Sequence, residues 1–488
     1  GFRHPDPSSV QLRTLKRVLE RITTERIQIG QWWWDEAWGR RTPRIGAPWR
    51  TLFPHCYFWL DYASIPQLDI AATEAASVTH KCSDHRQFGL DDLQLAVQSI
   101  PAYVDAASLM LILVPSTSHH DISGRNCNYA SWARRGWCRM ERTCARFARV
   151  PVPMVICSGP EAPLRWECEL SASHTVVGHG LFTCCQLGHE IDGEPIPCDK
   201  RALRKVLHNL FISGAEYAHM LGDADWGRTM ICMIARHQRG FECNDDAPHL
   251  PWFEDLTAFR AILRWQDAPV GAPRRGCCGS SPYRWTLMHW AAWSGSAALV
   301  REVLRRDAGA SVNTLSPRLK GLGLGHFSPL WLSFGGGLGG TFEIAEMLLE
   351  AHADPKYAIT QVPAATMMTG SVLYGSGQHC RGLLSHSISA VNEPSPVLGH
   401  TPLALALGMR EDVDQLWPTL LSLGADMLAK DALYGPGGAL HMACTSRTPS
   451  LAAVQTLIEA KCSVNSPATP TTPLMKAFTS AALAAARL

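Results

Sequence analysis

Arg284-Trp-Thr-Leu-Met-His289-Trp-Ala-Ala292 decides how the C-terminal two-fifths of this 488-residue chain is read. The block is followed by Gly295, by the helical run Leu299, Val300, Val303 and Leu304, and by Gly309-Ala-Ser-Val-Asn313. The same order returns at His326-Phe-Ser-Pro-Leu330, with Ile344, Met347, Leu348 and Leu349, then Ala351-His-Ala-Asp354. It returns again at Gly399-His-Thr-Pro-Leu403, with Leu420, Leu421 and Gly424-Ala-Asp426, and at Gly438-Ala-Leu-His441-Met-Ala443, with Val454, Leu457 and Ile458. A last copy begins at Thr472-Pro-Leu474. Thr-Pro opens a short helix, the threonine capping it and the proline taking its first position, and the glycine stops the second helix. The equivalent positions 286, 328, 401, 438 and 472 lie 42, 73, 37 and 34 residues apart, so the long interval predicts an insertion near 357–398. Self-similarity at such a period marks a stack of helical units.

These motifs resemble the ankyrin repeat, whose period is about 33 residues. The resemblance covers 283–488 and implies an all-α solenoid that grips a protein partner through its finger loops and concave face. It also implies that His289 and His441 are structural, bonding to the backbone of a neighbouring repeat.

The N-terminal part reads as α/β. Cys56-Tyr-Phe-Trp-Leu-Asp61 is a short apolar run expected to form a buried strand, leading into the loop Tyr62-Ala-Ser64-Ile-Pro66-Gln67. A helix is expected over Leu93–Val104, a strand over Leu109–Val114, a helix from Ser131 to Arg149 and a strand over Val152–Ile156. Alternation of this kind predicts a parallel sheet. At 100° per residue, Trp137, Met140, Cys144 and Phe147 form an apolar stripe, with Arg139, Arg142, Arg146 and Arg149 opposite on an expected solvated face.

Asp61 at a strand end, the strand 109–114 and Trp137-Cys138-x-x-Glu141 opening a helix resemble Toll/interleukin-1 receptor (TIR) domains, which are flavodoxin-like. Gly1-Phe-Arg-His-Pro-Asp-Pro7 resembles the segment after the first strand of such domains, which implies that this strand lies upstream. The resemblance covers 1–160. In NAD-cleaving members, the glutamate of this helix engages the nicotinamide ribose, so Glu141 is the catalytic candidate by resemblance. Asp61 and Ser64 would line the same sheet edge, where open α/β sheets take ligands. A carboxylate there would stabilise the oxocarbenium-like charge formed as the glycosidic bond breaks.

Residues 161–282 show no repeat and read as a partly helical connector, with helices over Asp199–Ile212 and Phe253–Trp265 and a linker at Gly271–Ser281. Cys184-Cys185-x3-His189-x8-Cys198 gathers ligand-type residues, and Cys82-x2-His85 is a second such group. Zinc sites favour two matched Cys-x2–4-Cys pairs, so the expectation is buried thiols and no metal. The glycine strings Gly321–Gly325 and Gly335–Gly340 neither follow a strand nor end in Gly-Lys-Ser/Thr, and read as finger-loop extensions rather than phosphate loops. Trp32, Trp33 and Trp34, with Trp38 and Trp49, read as core or interface packing.

Composition closes off other classes. The chain is 46% hydrophobic and 18% charged, so it buries sizeable cores. A formal net charge of +2 supplies no basic field for nucleic acid. The longest apolar run, Ala106 to Pro115, is too short to span a bilayer. Seventeen irregularly spaced cysteines argue for reduced thiols and a cytoplasmic setting. The expectation is therefore α/β plus all-α architecture, in a protein-interaction or signalling scaffold without a cofactor. Its array would bind a protein partner, and its α/β domain would self-associate or dock an effector. The alternative is a glycohydrolase with NAD as substrate, targeted by its repeats.

Overall fold

The computed structural model describes residues 6–25, 27, 29–30, 51–64, 95–120, 122–167, 176–191, 194–195, 198–238, 240–241, 250–265, 285–306, 312–317, 326–336, 342–355, 367–388, 390–395, 399–431, 434–435 and 437–464. The fold is mostly helical with a small sheet, in two compact units, Gly1–Leu210 and Phe211–Leu488. No helix among the described residues is long and apolar enough to cross a membrane.

The first unit opens with α1 (Val10–Thr24), a four-residue α2 (Asp61–Ser64) and a helix over 95–106, followed by β1 (Met110–Leu113). A small ladder of β2 (Thr117–Ser118) and β3 (Asn126–Cys127) leads into α3 (Tyr129–Arg134) and α4 (Gly136–Arg146). β4 (Met154–Cys157) and β5 (Arg165–Trp166) complete a sheet of order β1-β4-β5. β1 and β4 pair in parallel, Met110 with Met154 through Leu113 with Cys157, as two continuous apolar runs should when both faces are covered. β5 runs antiparallel to β4, so the sheet is mixed rather than all parallel. Val155 and Cys157 join Val18, Leu164 and Trp166 in one core cluster, with Ile22, Ile29, Leu111 and Leu113 packed on it. Ile112 and Ile156, one residue out of step, are buried on the other face. Arg21 holds α1 in place by donating to the Pro160 and Ala162 carbonyls at 2.8 and 3.1 Å.

The run 56–61 does not form the expected strand. Cys56–Leu60 is irregular, and Tyr57, Phe58 and Leu60 are exposed. A short apolar run becomes a strand only when a neighbour pairs with it, and none does among the described residues. Asp61 instead opens α2. The loop beyond Ser64, with Cys82 and His85, lies outside the described residues, as do Trp32, Trp33, Trp34, Trp38 and Trp49 and most of both glycine strings.

The first unit closes with α5 (Thr183–Gln186), a hairpin of β6 (Glu190–Ile191) and β7 (Glu194–Pro195), and the start of α6 (Asp199–Met220). This helix outruns its expected end at Ile212, and the division at 210 falls within it.

Among the described residues, the second unit continues from the end of α6 with six helix pairs in chain order: α7 (Ala224–His237) and α8 (Leu256–Ile262), α9 (Leu287–Ser294) and α10 (Ala297–Arg306), α11 (Pro329–Gly336) and α12 (Glu343–Glu350), α13 (Met367–Tyr374) and α14 (Gly377–Ser385), α15 (Pro402–Met409) and α16 (Val413–Ser422), and α17 (Gly438–Thr445) and α18 (Leu451–Glu459). Each first helix packs on the first helix of the next pair, from α7 through α17. The insertion expected near 357–398 is instead the fourth of these pairs. From α9 onward, successive first helices begin 42, 38, 35 and 36 residues apart, so the 73-residue gap holds one unit whose first helix lacks the Thr-Pro-Leu signature. A Cβ on Gly370 would stand 2.2 Å from the Trp331 ring, so α11 and α13 meet through a glycine. The expected connector likewise contains two helices ahead of the first recognisable motif, α7 packing on α9 and α8 on α10, and Ser296 Oγ donates to the Phe253 carbonyl at 2.5 Å. The linker 271–281 and the copy at Thr472 lie outside the described residues.

Five of the second helices end in one closure. Arg264, His352, Ser387, Gly424 and Lys461 have φ of 49, 63, 55, 89 and 64°. The next N–H in each case, from Trp265, Ala353, Ile388, Ala425 and Cys462, returns to the carbonyl five residues back, at 2.8 to 3.0 Å. This is the Schellman turn, which satisfies the orphan carbonyls of a helix end and reverses the chain. Asparagines then link one turn to the next. Asn313 donates to the His352 carbonyl at 3.0 Å and accepts from Asp354 N at 2.7 Å. Asn392 repeats both bonds on Gly424 and Asp426, at 3.0 and 2.8 Å. Buried Arg410 donates to the carbonyls of Val372, Leu373 and Gly375, capping α13 from the following pair while Asp412 balances its charge.

His289 is structural in the same way. His289 Nδ1 accepts from Thr286 N at 3.0 Å, which leaves its proton on Nε2, facing the Phe327 carbonyl 3.1 Å away in the next pair. His441 is buried and stacks on Tyr434, ring centroids 3.8 Å apart.

Only glycine adopts the left-handed closure without a Cβ penalty. His352→Gly and Lys461→Gly should each raise stability by roughly 0.5–1 kcal/mol, and Gly424→Ala should lower it by about 1 kcal/mol. Urea-unfolding midpoints of the three variants check both signs.

Candidate functional site

The Trp-Cys-x-x-Glu helix is set by a break in the chain just before it. Arg135 is extended, with φ −77° and ψ 135°, so the segment expected as one helix is split into α3 and α4. Extended backbone here lets Gly136 N donate to the Leu181 carbonyl at 3.0 Å and lets Leu181 N donate to the Arg134 carbonyl at 2.7 Å. A Cβ on Gly136 would stand 2.0 Å from the Phe182 ring, so the approach requires glycine. Trp137 Nε1 donates to Asp199 at 2.8 Å, fixing the first turn against the start of α6.

The arginine stripe is solvated only in part: Arg149 is exposed beyond the end of α4, while Arg142 and Arg139 are drawn inward. Arg142 is fully buried and pairs with Glu167 at 3.3 Å, where Tyr129 also donates its hydroxyl to both carboxylate oxygens at 2.7 and 2.8 Å. Arg139 donates to the carbonyls of Ala133 and Val176 at 2.9 and 3.0 Å. Periodicity alone counts arginine as polar and sends it outward. Here Glu167, 25 residues along the chain, neutralises the charge and makes burial tolerable. The run Leu164-Arg-Trp166-Glu167 alternates as a strand does, and that alternation would send Glu167 outward with exposed Arg165, so nothing local in the sequence announces its burial.

Glu141 is half-buried beside Asp61 and Arg135. Burial is the main cause that pushes its carboxyl up to about 8, the Asp61 charge adds to the rise, and Arg135 opposes it. Burial likewise pushes the Cys138 thiol up to about 12. The arginine at position 135 feels Cys138, Glu141 and Asp61 together, and its guanidinium is held more firmly protonated for it. The fold thus brings Glu141 and Asp61 into one electrostatic neighbourhood. Asp61 reaches it from an exposed helix start rather than from the strand end expected. Ser64 is exposed, and no contact joins it to Glu141 among the described residues.

A second cluster lies at the other end of the unit. Cys184, Cys185, His189 and Cys198 place one ligand atom each within 4.8 Å of all the others. Cys184 and Cys185 sulfurs are 3.9 Å apart, as are those of Cys185 and Cys198. α5 supplies the first two, the turn after it supplies His189 at φ 61°, and Cys198 sits immediately before α6.

Compared with known proteins, the sequence matches no family model and no curated protein.

The raised carboxyl of Glu141 has a measurable consequence. Between its ordinary value of 4.5 and about 8, the folded chain keeps a proton that the unfolded chain has released. The associated stability is therefore complete below pH 4.5 and is lost as pH rises toward 8. Glu141→Gln keeps the neutral shape and removes the ionisation. Over that range the variant should lose less stability than the wild type, by up to about 1 kcal/mol per pH unit, measured from urea midpoints.

Proposed function

We propose that this chain is a protein-interaction scaffold of the signalling kind, in which an ankyrin-type array selects a protein partner and a TIR-like α/β unit self-associates or docks an effector. The observation that carries the reading is the recurrent closure at Arg264, His352, Ser387, Gly424 and Lys461, joined to the stacking of successive first helices. Such a stack presents a row of loop tips at a fixed spacing, which is a surface suited to another protein rather than to a small molecule. The tip after α16 carries exposed Asp426, Leu428 and Lys430. A net charge of +2 supports a protein partner over nucleic acid, and the free state of all twelve described cysteines supports a reducing, cytoplasmic setting.

The NAD-cleaving alternative draws on the joint field of Asp61 and Glu141. It is the weaker reading on chemical grounds. A carboxyl raised to about 8 is mostly neutral at pH 7, and a neutral carboxyl does not stabilise a developing oxocarbenium ion.

Cross-linking mass spectrometry of the full chain in its native cells, with wild type beside Leu428→Glu/Lys430→Glu, tests the scaffold. A partner cross-linked through the loop tips, and lost or weakened at least about tenfold in the folded double variant, is the expected outcome. NAD turnover by the same protein should stay at the level of the no-protein control. Turnover abolished by Glu141→Ala would replace the scaffold reading with the enzymatic one.

A further inference from the structure

We propose that Cys184, Cys185, His189 and Cys198 bind one structural Zn2+ that ties α5 and the turn after it to the start of α6. Their spacing in the sequence is not that of a zinc module, because two ligands are adjacent and only one of the remaining intervals is short. The chain fold removes that objection by closing the four groups on one point, all within 4.8 Å of one another.

The sulfur separations distinguish what kind of group this is. A disulfide would bring two sulfurs to about 2.05 Å. Four ligands around zinc, with Zn–S about 2.3 Å, stand roughly 3.8 Å apart along each edge of the tetrahedron. The two S–S separations seen are both 3.9 Å. His189 Nε2 completes the set, and it is enclosed with no hydrogen-bond partner among the described residues. An enclosed imidazole nitrogen without a partner loses its interaction with water and gains nothing in return, unless a ligand takes the lone pair.

Without a metal, burial raises the Cys184 and Cys185 thiols, so ionised sulfur there needs a cation beside it, and the backbone adds one donor. Asp199 N donates to Cys184 Sγ at 3.4 Å, the backbone bond that typically supports a metal-bound sulfur. Cys198 immediately precedes a 22-residue helix, whose N-terminus carries positive partial charge, and Asp199 and Lys200 both lie in its first turn. Three thiolates and one neutral imidazole around Zn2+ leave one net negative charge, beside which Lys200 is the cation in the first turn of α6. Binding expels the three S–H protons to solvent and changes no oxidation state. Four protein ligands leave no open position, so the metal is structural and activates no water.

The experiment uses the full chain, purified under reducing conditions without chelator from zinc-supplemented cells. Elemental analysis should find about one zinc per chain, and less than about a tenth in Cys198→Ser and in His189→Ala. Co2+ added to chelator-stripped wild type should give the intense visible bands of a tetrahedral site with sulfur-to-cobalt charge transfer, lost in Cys185→Ser. Because the cobalt spectrum is read on wild-type protein, it stands even if a variant folds poorly, which far-UV circular dichroism reports. Wild type with less than about a tenth of an equivalent and no thiolate–cobalt band overturns the proposal, as does zinc retained in full by both variants.

Discussion

Helices of eight to ten residues do not hold together alone in water, where about 12–15 residues are needed even for favourable sequences. All ten helices from α9 through α18 fall in that range, so the second unit exists only through what each helix buries on its neighbours. The first helices show the extreme case. Every residue of α15 is buried, and the helix is apolar all round, because α13 and α17 cover it on two sides and α16 on a third. Given that dependence, the geometry of the reversals becomes the controlling feature. One left-handed residue at the end of five second helices reverses the chain through the same hydrogen bond, and that repetition lets one pair lie on the next. His352, Ser387 and Lys461 occupy this conformation at a steric cost that Gly424 avoids. The stacking they permit outweighs it.

The first unit is organised by a different constraint, the burial of charge. Arg142 and Glu167 are both withdrawn from water and satisfied by each other and by Tyr129. Such an arrangement costs desolvation, and it is strongly destabilised if one member is removed. Glu141, one residue away from Arg142 in the same helix, is pushed the other way, its carboxyl raised by burial and by the Asp61 charge against the opposing pull of Arg135. Neighbouring residues on one helix thus meet different electrostatic surroundings. This contrast also weighs on function, since a pocket that stabilises a cation needs its carboxylate ionised.

What the sequence determined by itself was whatever rests on local chemistry and short periods. The repeat motifs at Thr286, Ser328 and Thr401, the helix stop at Gly424 and the apolar runs that became β1 and β4 were all legible, because caps, stops and uninterrupted hydrophobicity act within a few residues. Tertiary structure decided the rest. The run 56–61 carries strand-like residues but finds no pairing partner among the described residues, so its aromatics stay outside. The pair α13 and α14 has no Thr-Pro-Leu signature, and it is a full member of the stack because Gly370 lets Trp331 approach and Arg410 caps it from the next pair. Arg142 reads as surface until Glu167 is placed beside it, and Cys198 stands 14 positions from Cys184 until the hairpin brings their sulfurs into one cluster. In each case the deciding partner is distant along the chain, and burial, charge neutralisation and ligand geometry depend on distance in space rather than on distance in sequence.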